Sequence, residues 1–411
     1  MLSEKEKLDT LANLMVELNQ VSDLDILMEH ILTQARRFVN ADAGSIYIVY
    51  DDSLQFTYTQ NDTLQKRLSK GEKLIYSTFT LPINEQSIAG YVADTGRPLN
   101  INDVYNLDTS LPYKFSKEFD DASEYRTHSV LTIPVKAANG DVLGVGQIIN
   151  PMDVNHNLIS FSEKDEKMME HFAGIASVAL ERAKMTRANI LRMIKMAEMR
   201  DPKETGAHVN RVGAFAVEIY EQWALRRNIS RKEIDKKRDV LRMAAMLHDV
   251  GKVAISDVIL KKPGRFSKDE FEIMKQHTIL GARLFLDRQS DFDKAALTVA
   301  LTHHERWDGK GYPGPVNILD GKSITGLTTP EEIPVGIKRE DIPLFGRIVA
   351  LADVYDALSS VRTYKEAWDE SEVLSIIEKG AGFHFDPEIV EVFFSSIDMM
   401  RSIQERYKDN H

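Results

Sequence analysis

The sequence predicts two halves of different class: an α+β N-terminal half with an antiparallel sheet and helices, and an all-α C-terminal half, joined by one long helix. Three observations carry this. Residues 44–60 and 129–150 alternate in the manner of strands. From Ser162 onward the apolar spacing becomes helical and stays so. The C-terminal half breaks that pattern only in a Gly/Pro-rich stretch at 309–343.

Taken in order, residues 5–40 read as helix. Leu8, Leu11, Leu14, Met15 and Leu18 recur at helical spacing, and Ile26, Leu27, Ile31 and Leu32 resume it after a break near Asp23. Ser45 to Tyr50 then alternates as a strand. SVLTIPV and VLGVGQIIN, separated by Ala138-Asn139-Gly140-Asp141, form a hairpin signal, because Asn-Gly fits a tight turn. Ser162-Glu163-Lys164-Asp165 has capping chemistry. The helix it opens runs through Met168, Phe172, Ile175, Ala179, Ala183, Ile190 and Ala197. A helix of that length joins domains or pairs with a copy of itself; the alternative is two helices broken near Arg187. Further helical patterns cover 207–227, 231–249, 267–289, 292–304, 345–360, 371–379 and a stretch near 387–406. The expected domains are 1–160, a connecting helix at 161–200 with a dimer contact, and 201–411.

Composition narrows the function. The chain has 411 residues, 43% hydrophobic and 28% charged, enough for real cores. Its net charge of −11 (52 Lys+Arg against 63 Asp+Glu) argues against a nucleic-acid polymer as partner, which needs a basic face. With no cysteine, disulfides, thiolate zinc sites and cysteine nucleophiles are excluded. The mixed-charge start MLSEKEKLDTLANLM does not resemble a signal peptide, and no apolar run is long enough to span a bilayer. Cytoplasmic location and no membrane insertion are therefore expected.

Four clusters in the second half carry chemistry: His248-Asp249-Val250-Gly251-Lys252, ending an apolar helix with Gly251 suited to its stop; His277, ten residues into a helix beginning near Ser267; His303-His304-Glu305; and Asp353-Val354-Tyr355-Asp356 in the middle of an apolar helix. A lone His on an apolar helix is usually a hydrogen-bonded core residue. The conjunction is different. Five of the 11 histidines (His208, His248, His277, His303 and His304) fall in one span that also carries buried-looking acids. Burying them without partners is costly, and metal ligation removes that cost. Such a set suits two metals that activate water and clamp a phosphoryl group. Asp249 is placed to bridge them. His303 and His304, about 100° apart on a helix, would serve different metals. Lys252 would hold a phosphate oxygen or protonate the leaving group.

These residues, with Gly311-Tyr312-Pro313 and the runs RDPKETGAHVNRV, LHDVGKVAISDVIL, HHERWDGKGYP and IPLFGRIVALADVYDALSSVRTYK, resemble the HD-GYP family over about residues 195–405. The resemblance implies a phosphodiesterase that hydrolyses cyclic di-GMP to the linear dinucleotide or GMP, with two or three divalent metals, iron or manganese. It implies the ligands His208, His248, Asp249, His277, His303, His304 and Asp353. It adds Glu204 for a third metal; Asp201-Pro202-Lys203-Glu204 also reads as a helix cap. The resemblance also implies substrate contacts at Gly311, Tyr312, Pro313, Arg362, Tyr364 and Lys365. The departure is an extra stretch of about twenty residues around Pro315–Val335. It favours the alternative of a non-hydrolysing cyclic-dinucleotide receptor; a third reading is a mononucleotide phosphohydrolase.

The first half, over about residues 20–185, resembles a GAF sensory domain through LPINEQSIAGYVADTGRPLNINDVY and through Asn150, Phe161 and Asp165-Glu166. Pro151 stands where the cyclic-nucleotide GAF pattern has Lys, so cyclic-nucleotide binding does not follow. A small GAF ligand of unknown identity and a homodimer are the remaining expectations.

Overall fold

The computed structural model describes residues 4–68, 74, 79–199, 206–326, 328, 335–360 and 368–408. The chain divides into two compact units, Met1–Arg187 and Ala188–His411.

The first unit begins with α1 (Glu4–Asn19) and α2 (Leu24–Phe38). The break expected near Asp23 is real: the Asp23 carboxylate accepts from the Asp25 and Ile26 N–H groups and caps α2. The sheet is built from β1 (Ala41–Tyr50), β2 (Ser53–Asn61), β3 (Thr80–Pro82), β4 (Leu99–Ile101), β5 (Val130–Lys136) and β6 (Val142–Pro151). Its order is β3-β2-β1-β6-β5-β4, and every neighbouring pair is antiparallel. The stretch 44–60, which alternates as one strand, is two: the chain turns at Asp51, whose φ of 48° opens a tight hairpin between β1 and β2. The Asn139-Gly140 turn joins β5 to β6, with Gly140 at φ 95°.

Pleating puts Ile46 and Ile48 on one face of β1 and Tyr47 on the other. The first face packs with Leu27, Phe38, Ile133, Ile148, Phe172 and Ala176. On the opposite face, Tyr47, Phe56 and Val145 pack with α4 (Ile88–Thr95), which follows the single-turn helix α3 (Asp62–Gln65) and precedes α5 (Glu118–Ser123). That face holds a cavity of about 420 Å³ walled by Tyr47, Phe56, Phe79 and Phe115, with Ser45 and Gln147 among its polar groups. Asn150 is a strut: its Oδ1 accepts from the His128 N–H (2.7 Å), and its amide donates to the Tyr125 hydroxyl and the Arg126 carbonyl.

Helix α6 spans Glu163–Glu198, opened by Ser162 and Asp165, which bond each other's backbone N–H. It runs without interruption through Arg187, whose guanidinium bonds Asp25 (3.2 Å). Met169 to Ala183 sit in the first unit's core and Ile190 and Ile194 in the second's.

The second unit is helical: α7 (Gly206–Arg226), α8 (Arg231–Met246), α9 (Asp257–Leu260), α10 (Lys268–Lys275), α11 (His277–Arg283), α12 (Asp291–Thr302), α13 (Leu344–Ser359), α14 (Glu370–Gly380), α15 (Pro387–Ser395) and α16 (Ile397–Arg406). Its core gathers Phe215, Leu241, Ala244, Val299, Ile348, Tyr355 and Phe393. Several helices end sooner than periodicity predicts. The pattern at 267–289 divides at Gln276, whose N–H bonds Ile273 O, an i→i−3 bond that closes one ladder before His277 opens the next. The pattern near 387–406 likewise divides at Ser396. Among the described residues no helix is long and apolar enough to cross a membrane.

Candidate metal centre

Helix ends place most of the candidate ligands. α8 stops at Met246, and His248 and Asp249 follow it, leading into a tight turn over Val250–Ala254 that carries Lys252. Gly251 does not supply a left-handed stop. It is needed for contact: a Cβ there would lie 1.9 Å from the His277 carbonyl oxygen, so only Gly lets this turn lie flush on α11. α12 ends at Thr302, and His303 caps it. His304 is past the helix, so the expected 100° divergence between the two histidines does not apply. Both join one donor group with Asp249 and His277, within 4.8 Å of one another. The second group is His208, His248 and Asp353. Here the spacing is regular. On α7, His208 and Arg211 share a face, as do Asp353 and Asp356 on α13, and the two faces meet.

The tautomers follow from the hydrogen bonds. His248 Nδ1 donates to Ala245 O (2.8 Å), His277 Nδ1 to Met274 O (2.7 Å) and His303 Nδ1 to Val299 O (3.0 Å). His208 Nδ1 donates to the Asp356 carboxylate (2.8 Å), which Arg211 also grips. A carbonyl or an ionised carboxylate only accepts, so each Nδ1 carries a proton and each ring turns its Nε2 inward, the atom that offers a lone pair to a cation. Burial keeps His303 below its ordinary pKa. Burial and the neighbouring imidazoles hold His304 well below.

Those lone pairs face carboxylate oxygens. His277 Nε2 and His303 Nε2 lie 3.1 and 3.5 Å from Asp249 Oδ1, and His248 Nε2 lies 3.3 Å from Asp249 Oδ2. Asp353 Oδ1 stands 3.6 Å from His208 Nε2 and 3.7 Å from His248 Nε2. The buried Nε2 atoms of His277 and His303 and Oδ1 of Asp249 have no hydrogen-bond partner. Acceptors converging on acceptors repel unless a cation lies between them. Ligands about 2.1 Å from a shared cation stand about 3 to 3.5 Å apart, so the donor set fits divalent metals of the kind imidazole and carboxylate suit together. Asp249 touches histidines of both groups. Burial alone would raise its carboxyl, but the Lys252 ammonium, 2.7 Å from Oδ2, outweighs burial and holds it well below the carboxylate range.

Tyr312 covers this centre, its ring 4.8 Å from that of His304. The loop doubles back so tightly that a Cβ on Gly311 would lie 2.5 Å from His304 O. Burial raises the Tyr312 hydroxyl, so it stays protonated. Pro313 follows through a cis peptide bond. Glu204, Arg362, Tyr364 and Lys365 lie outside the described residues.

Three residues that the sequence reading gave no role organise the site. Asp356 and Arg211 orient His208. Glu305, 2% exposed, accepts from the Gly314 N–H (2.6 Å) on one oxygen and from the Ile337 N–H (2.9 Å) on the other. It thereby ties together the two ends of the stretch around 315–335, although burial raises its pKa to about 7. Glu305→Ala leaves both amides without their acceptor and is expected to cost about 2 kcal/mol locally. Hydrogen–deuterium exchange checks this: peptides containing Gly314 and Ile337 should lose protection together, and unchanged uptake in both would contradict the clamp.

An HD-domain family model matches residues 205–358, a second HD-domain model residues 331–389, and a GAF-domain model residues 23–180. A Vibrio cholerae protein named cyclic di-GMP phosphodiesterase is 38% identical over 225 residues, covering 54% of this chain and 41% of its own. Another V. cholerae protein, named 3'3'-cGAMP-specific phosphodiesterase 2, is 31% identical over 255 residues, covering 60% and 43%. The chain thus spans under half the length of these two relatives. Among solved structures, the GAF domain of an Acinetobacter phosphoenolpyruvate-protein phosphotransferase aligns with 46% of this chain and 99% of its own at 17% identity and a TM-score of 0.33. The chain carries an HD domain preceded by a GAF domain.

Proposed function

We propose that the HD domain is a metal-dependent phosphodiesterase that hydrolyses cyclic di-GMP to the linear dinucleotide or GMP. The observation that carries this is the double donor group around Asp249, whose imidazoles are fixed with their lone pairs inward. His208, His248 and Asp353 would hold one divalent ion and His277, His303 and His304 another, with Asp249 between them. Iron is the ion we assign, with manganese the substitute. When bound, such ions activate water and neutralise phosphoryl oxygens. The chain's own residues do the rest. Lys252, whose ammonium lies 2.7 Å from Asp249, would carry the proton that a leaving alkoxide needs. Tyr312 packs against His304 and would shield that side from water.

The names of the relatives support the substrate class, and the GAF domain supports regulation by a small ligand in its aromatic-walled cavity. The continuous α6 supports a homodimer. Chromatographic product analysis of cyclic di-GMP incubated with iron- or manganese-loaded protein is the test. Linear dinucleotide or GMP is expected; a tight complex without product would favour a receptor. Lys252→Ala is expected to keep its metal and lose about a hundredfold in kcat. Unchanged turnover would remove its catalytic role.

A further inference from the structure

Beside the metal centre lies a surface that the ligand set leaves unused. On α10, Phe271 and Lys275 share a face at i, i+4, with Glu272 next to them. Phe271 is a large apolar side chain left 42% exposed. Its ring stands 6.1 Å from Tyr312 at 81°, and Tyr312 in turn touches His304. The Lys275 ammonium sits 4.9 Å from the Phe271 centroid and 5.4 Å from that of Tyr312. Glu272 Oε1 lies 2.6 Å from it.

We propose that Phe271, Glu272 and Lys275 form the subsite that reads the substrate's base, and that the base they select is guanine. The proposal rests on the phosphodiesterase reading above. A phosphodiester held at the donor groups carries its base one ribose away, and Phe271 lies one side chain beyond His304, across Tyr312. One face of Phe271 carries the Lys275 ammonium and the ring is still 42% exposed; an exposed aromatic with an ammonium and a carboxylate beside it is what a stacked nucleobase requires. The polar pair sets the choice. The Lys275 ammonium only donates and the Glu272 carboxylate only accepts. Guanine offers O6 to the ammonium and two adjacent N–H groups, on N1 and N2, to the carboxylate. Adenine has no N2 amino group, so it fills at most one carboxylate oxygen. A Glu–Lys pair on an open helix surface would be ordinary. Here the two side chains are 33% and 19% exposed, and the Lys275 ammonium of the pair lies over the Tyr312 ring.

The test compares kcat/KM for cyclic di-GMP and cyclic di-AMP on one metal-loaded sample of the full chain, so that losses of fold or metal cancel in the ratio. The wild type should prefer cyclic di-GMP. Glu272→Gln should lower that preference by about tenfold or more. Phe271→Ala should weaken both substrates by about tenfold and leave the ratio alone, because stacking does not distinguish bases. A wild type that cleaves both equally, or a Glu272→Gln ratio equal to that of the wild type, would overturn the subsite while leaving the phosphodiesterase standing. A wild type that cleaves bis(p-nitrophenyl) phosphate but neither dinucleotide would overturn the substrate reading and the subsite with it.

Discussion

Asp249→Asn is expected to lower cyclic di-GMP turnover by at least about a thousandfold and to strip metal from the protein. The substitution keeps the shape of the side chain and removes its charge. Among the described residues Asp249 is the one carboxylate that meets histidines of both donor groups, at 3.1 and 3.5 Å from His277 and His303 and 3.3 Å from His248. An amide would turn its NH2 either toward His277 and His303 or toward His248 and Lys252, and an NH2 has no lone pair for a cation, so one side of the pair must fail. It also leaves the Lys252 ammonium without its 2.7 Å counter-ion. The check is metal analysis and turnover on the same preparation. A variant with full metal and wild-type rate would show that Asp249 is a bystander.

Asp356→Asn should be the most damaging change among residues that touch no metal. The carboxylate accepts from His208 Nδ1 and from Arg211 on both oxygens, and all three side chains are buried. Burial would raise its pKa, but the bonds from His208 and Arg211 more than offset this and hold it below the carboxylate range. Loss of the charge leaves Arg211, 3% exposed, facing a neutral amide, at a cost of about 3 kcal/mol. It also frees the His208 ring, and partners of this kind are worth about 10- to 100-fold in metal affinity. Chelator competition and denaturant unfolding measure the two effects separately. Unfolding alone, with metal affinity unchanged, would reduce Asp356 to a packing residue.

Much of this arrangement is legible in the sequence. The histidines and acids stand out because charged and imidazole groups are rarely placed on apolar helices without a partner, and Asp23 and the Asn139-Gly140 turn mark element ends by local chemistry. The partnerships are harder to read. Asp356 and Glu305 sit beside recognised ligands, but their partners are 148, nine and 32 residues away, and only the packing of α7 on α13 and the closing of the 314–337 neck bring them together. The signal for Asp356 was present as the i, i+3 pairs His208/Arg211 and Asp353/Asp356. Helix ends at Gln276 and Thr302 escaped periodicity because the apolar pattern continues across them, while the backbone turns to aim a histidine. The same blindness explains why His303 and His304 join one donor group rather than two.

Metal titration of the metal-free protein, with turnover of cyclic di-GMP followed at each addition, decides whether the two donor groups act as a pair. Activity is expected to appear only as the second equivalent of ferrous iron or manganese binds, and Asp249→Asn never to reach that step. Full occupancy without turnover, or full activity with one ion per chain, would contradict it.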